Sequence, residues 1–131
     1  MTHDVFLSHS SKDHEIAEKM CSVLEERGLK CWIAPRDIVP GASWGGAIVE
    51  AIRDCGCMVL ILSEESNKSG QVLREVERAV NKTKPVIPFR ISNVTPSESM
   101  EYFISSSHWI RMSNYRLVTL MPLKSVWRIL V

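Results

Sequence analysis

Cys57-Met58-Val59-Leu60-Ile61-Leu62 is apolar throughout, without the polar alternation of a half-wet strand. Such a strand is covered on both faces, which in practice means a parallel sheet with helices packed above and below. The run therefore restricts the chain to folds in which strands and helices alternate. Asp4-Val5-Phe6-Leu7-Ser8 and Lys30-Cys31-Trp32-Ile33-Ala34 supply short strands before it. Pro85-Val86-Ile87-Pro88-Phe89-Arg90 follows it, and its two prolines direct it toward an edge. Ser107-His108-Trp109-Ile110 is a weaker fifth strand.

The intervening segments have helical spacing. Ile16, Met20, Val23 and Leu24 recur on one face after a start capped at Ser11, and Gly28 stands just past the end, where a left-handed cap favours glycine. From Trp44 to Asp54, Trp44, Ala47, Ile48, Ala51 and Ile52 share a face. The segment SGQVLREVERAV, residues 69–80, forms another helix. Pro35 to Ser43 and Ser63 to Gly70 are expected to be loops, the first carrying Pro35, Pro40 and Gly41. The tail from Arg116 to Val131 is apolar and partly helical in pattern, interrupted by Pro122.

Strands alternating with helices imply right-handed βαβ units. At 131 residues the chain fits one domain, residues 1–131. The expected fold is α/β: a flavodoxin-like three-layer sandwich with a five-stranded parallel sheet of order 2-1-3-4-5. In such sheets ligands sit beyond the carboxyl ends of the strands, where the order reverses between strands 1 and 3. Ser8 to Ser11 and the chain from Ser63 onward line that crevice.

Composition excludes several classes. A net charge of +1 with scattered basic residues gives no field for nucleic acid, and no apolar stretch approaches a membrane span. Met1-Thr2-His3-Asp4 opens straight into a strand-like run, so no signal peptide is expected. The cysteines Cys21, Cys31, Cys55 and Cys57 include a CxC but no zinc-finger spacing, as expected of buried thiols in a reduced, cytoplasmic domain.

The helix beside the crevice carries Glu75 and Glu77. At 100° per residue both fall on the margins of the apolar arc formed by Val72, Leu73, Val76, Ala79 and Val80, on opposite flanks. Periodicity does not separate them. Arg74 and Arg78 offer Glu75 an ordinary helix-surface ion pair.

Three stretches together resemble a Toll/interleukin-1 receptor (TIR) domain of the prokaryotic kind: Asp4 to Ser10, Cys31 to Gly41, and Leu60-Ile61-Leu62-Ser63. Val86 to Arg90 and Ser105 to Trp109 fit the same pattern, so the resemblance spans about residues 3–110. It implies the flavodoxin-like fold, with Ala34–Gly41 as the BB loop through which such domains self-associate. Enzymatic members cleave NAD⁺ between nicotinamide and ribose, using a glutamate in a motif similar to S-x-W-V-x-x-E-[IL]. Val72-Leu73-Arg74-Glu75-Val76 matches its V-x-x-E part, which implies that Glu75 is catalytic. The usual aromatic four residues earlier is Gln71 here. The resemblance further implies substrate contacts from Ser8, His9, Ser10, Ala34, Pro35, Arg36, Trp44 and Gln71. It implies no cofactor or metal, NAD⁺ being the substrate, and a role in antiphage defence. A non-catalytic TIR–TIR adaptor stays open as the alternative. A phosphoacceptor receiver does not, because the first and third strands end in Ser8-His9 and Leu62-Ser63 instead of aspartates.

Overall fold

The computed structural model describes residues 3–104. Strand β1 (His3–Ser8) pairs in parallel with β2 (Cys31–Trp32) on one side and β3 (Cys55–Leu62) on the other, and β3 pairs in parallel with β4 (Val86–Arg90). The described sheet thus has four strands in the order β2-β1-β3-β4, not five. The expected fifth strand at Ser107–Ile110 and the tail from Arg116 lie outside the described residues. β4, with Pro88 in it, is the outermost described strand, and among the described strands the missing backbone N–H of Pro88 costs no ladder bond.

The apolar run of β3 is explained by two cores. Cys57, Val59 and Ile61 join Val5, Leu7, Ile87 and Phe89 against Ala17, Met20 and Leu24 of helix α1 (His14–Glu26). Met58 and Leu60 face the other way with Phe6. They meet Ile52 of α2 (Trp44–Asp54), Val72 and Val76 of α4 (Gly70–Asn81), and Met100 of α5 (Glu98–Ile104). Phe6 and Trp32 stack at 5.0 Å between ring centroids within this second core.

Local chemistry departs from the sequence expectation in three places. Ser10, not Ser11, is the cap: its Oγ accepts from Lys12 N and starts a short 3₁₀ turn, Ser11–Asp13, ahead of α1. β2 is shorter than Lys30–Ala34, because Ile33 N donates to Asp37 Oδ2 at 2.9 Å instead of extending the strand. The Ser63–Gly70 segment is not all loop; it holds α3 (Glu64–Lys68), capped reciprocally by Ser63 and Ser66. Gly28 does take the left-handed conformation, at φ +85°, past the end of α1.

Candidate active site

Ser8 ends β1 two residues after Phe6, and the strand period of two turns it toward the same layer of helices. α4 enters that layer behind Ser69, whose Oγ accepts from Val72 N at 3.2 Å. Its apolar arc seats Val72, Val76 and Ala79 against the sheet and brings Glu75 over the end of β1. The Ser8 hydroxyl donates to Glu75 Oε1 at 2.8 Å, and the Gln71 amide donates to Oε2 at 3.2 Å. Glu75 is only 8% exposed, while Glu77 is open to solvent. The sheet separates two carboxylates that helical periodicity leaves equivalent.

Burial raises the Glu75 pKa, against the opposing pull of its bonds from Ser8 and Gln71 and the nearby charge of Arg74. Glu75 forms no ion pair with Arg74 or Arg78 at contact distance among the described residues, so the surface-pair expectation gives way to a buried, hydrogen-bonded carboxylate.

Glu75 stands where two cavities meet. The first, about 450 Å³, runs from Glu75 past His9, Ser10 and His14 to Ala34, Pro35 and Trp44. The second, about 520 Å³, lies between α2 and α4, over Ile48 and Ile52 and beside Arg74 and Arg78. Trp44, Gln71 and Glu75 line both. Each volume falls within the roughly 300–1,000 Å³ of small-molecule sites. Trp44 is 55% exposed, so the apolar face of α2 loses its first expected member to the rim of the site. His9 Nε2 lies 3.3 Å from His14 Nδ1, and burial lowers the His9 pKa, keeping its ring neutral near pH 7.

The first cavity thus gathers His9, Ser10, Ala34, Pro35, Trp44 and Gln71 around Glu75, with Ser8 behind it. Arg36 is not among them. Its guanidinium is turned to the opposite rim of the loop, bonded to Asp37 Oδ2 at 2.8 Å, Glu25 Oε1 at 2.9 Å and the Cys31 carbonyl at 2.9 Å. His14 and Ser69 join the lining without a sequence signal, since their positions depend on how α1 and α4 enter the crevice.

The remaining chemistry is sparse. Burial raises the pKa of Cys55 and that of Cys57, the latter to about 12, and the two thiols belong to opposite cores. No group of three or more His, Cys, Asp or Glu residues suited to a metal occurs among the described residues. Nor is any described helix long and apolar enough to cross a membrane.

A family model described as the TIR domain matches residues 5–119. A search of curated proteins gives no match. Among solved structures the chain is similar to the TIR domain of the Toll-related receptor TRR-2 from Hydra magnipapillata, at 19% identity and a TM-score of 0.80, covering 98% of each chain. It is similar to a 2-deoxyribosyltransferase from Bacillus psychrosaccharolyticus at 13% identity and TM-score 0.72, covering 94% of this chain and 95% of that one. It is also similar to the Clostridium botulinum CMP N-glycosidase BcmB at 17% identity and TM-score 0.70, covering 92% of this chain and 98% of that one. At these identities the likeness is one of fold.

Proposed function

The chain belongs to the TIR-domain family, and from that premise we propose that it is an NAD⁺ glycohydrolase or cyclase that breaks the bond between nicotinamide and ribose. One observation carries the reading: the Glu75 carboxylate is buried at the junction of two ligand-sized cavities and held by Ser8 from the end of β1. Two of the similar structures, by their names a CMP N-glycosidase and a 2-deoxyribosyltransferase, act at the anomeric carbon of a sugar.

The chemistry asks for one carboxylate. As the C1′–N bond breaks, its electron pair neutralises the pyridinium, so nicotinamide leaves without a general acid. The ribose becomes oxocarbenium-like, as in other glycosidic cleavages. Ionised Glu75 beneath that ring stabilises the growing positive charge in a poorly solvated site and holds a ribose hydroxyl in place of Gln71. A water then adds to C1′ and releases its proton to solvent, giving ADP-ribose; attack by the substrate's own adenine gives a cyclic isomer instead. Ser8, His9, Ser10, Ala34, Pro35 and Trp44 form the walls around the nicotinamide riboside. Ala34–Gly41 carries the homotypic contact of an active assembly, and NAD⁺ depletion serves antiphage defence or a related self-toxic system.

The test is NAD⁺ consumption at high protein concentration with a crowding agent, read by mass spectrometry. Wild type releases nicotinamide, and Glu75→Ala loses about 100-fold or more of the rate while remaining folded. The product mass then separates hydrolase from cyclase. One feature favours a second reading, a non-catalytic TIR–TIR module: Gln71 replaces the usual aromatic and occupies Glu75 Oε2. Folded, assembled wild type that leaves NAD⁺ intact gives that reading the lead.

A further inference from the structure

Arg74 and Arg78 lie one helical turn apart on α4, with roughly 5–6 Å between Cβ atoms at that spacing. Both are exposed and both line the cavity between α2 and α4. Arg36 and Arg53, by contrast, are engaged by Glu25, Asp37, Glu50 and Asp54. Among the described residues no ion pair or side-chain hydrogen bond engages either α4 guanidinium. Two unengaged cations face a groove lined by Ile48 and Ile52, with the exposed ring of Trp44 at its rim. Planar guanidiniums bind phosphate oxygens in bidentate fashion, and an apolar floor with an aromatic edge suits a purine.

The geometry points to Arg74 and Arg78 as the binding site for the diphosphate of a dinucleotide substrate, with the adenosine half lying in the α2–α4 groove. The inference rests on the NAD⁺-cleavage reading and supplies it with a reason for preferring a dinucleotide to a simple nucleoside. The substrate's charges are then sorted along the site. The cationic pyridinium lies in the first cavity beside an uncharged His9, and the anionic diphosphate lies beside the arginines. The scissile bond falls between them at Glu75, which both cavities share. Glu77 lines the same groove and offsets part of the pair's charge.

The decisive variant is Arg74→Gln/Arg78→Gln, with Arg→Lys at both positions as the charge-retaining control. Kinetics are measured at mildly alkaline pH, because Arg74 opposes the burial-driven rise of the Glu75 pKa and its loss adds to that rise. The double variant raises KM for NAD⁺ on the order of tenfold or more with kcat largely kept, as expected for binding lost equally from ground and transition states. The lysine variant recovers most of the loss. Calorimetric binding of ADP-ribose weakens in parallel and with added salt, whereas Glu77→Gln tightens it. An unchanged KM overturns the arginine site and leaves the NAD⁺-cleavage reading standing. Wild type that binds ADP-ribose through the arginines yet never cleaves NAD⁺ does the reverse. Wild type that does not bind ADP-ribose at all removes the arginine site outright.

Discussion

Glu75 differs from Glu77 in the donors that meet it. A buried carboxylate is costly unless hydrogen-bonded, and Ser8 reaches Glu75 alone. The bond only partly compensates, because burial still raises the Glu75 pKa. The folded chain therefore binds this proton more readily than the unfolded chain. That stabilisation is complete below the ordinary value of 4.5 and is lost as pH rises through the folded-state value. Glu75→Gln escapes the loss. At neutral pH its Tm should exceed that of wild type by a few degrees, and the gap should close as pH falls toward the ordinary carboxylate range. Thermal melts across pH check this, and a variant less stable than wild type at neutral pH contradicts it. Periodicity left the two glutamates equal because the deciding hydroxyl comes from another part of the chain. The place of Arg36 was hidden for a related reason: its nearest carboxylates, Asp37 and Glu25, hold it at the opposite rim of its loop.

At the scale of elements, the long signals were legible and the short ones were not. The unalternating β3, the helix Trp44–Asp54 and the left-handed Gly28 are found as read. α3 was missed because its five residues carry no period, and its capping partner is Ser66, not the Glu or Gln that marks a capping box in sequence. β2 ends early because the Asp37 side chain, four residues on, takes the Ile33 N–H. The element that matters most for the site is α4, whose first turn depends on one cap. Ser69→Ala removes the acceptor for Val72 N and should cost about 1 kcal/mol, lowering Tm by a few degrees. Differential scanning calorimetry checks it; an unchanged Tm would mean that packing of Val72 and Val76 alone fixes the start of α4.

For the whole molecule, the site is assembled from the end of β1, the loop after β2, the start of α2 and the face of α4. Its outer rim remains open, with Trp44 55% and Val39 68% exposed. Apolar side chains left in water on the loop Ala34–Gly41 and beside the cavity mouth are where the proposed assembly would bring a neighbouring copy. Under the proposed activity and assembly, the rate of NAD⁺ consumption should rise more steeply than linearly with protein concentration. Initial rates over a dilution series check this, and strict proportionality would remove assembly from the mechanism. The bond between Ser8 and Glu75 spans 67 positions of the chain. A ribosome exposes Ser8 long before it exposes Glu75, and synthesis runs at about 5–20 residues per second. For several seconds the growing chain holds the serine without the acid. An activity that drains a metabolite shared by the whole cell would thus have no nascent form: translation itself would act as its first safety catch.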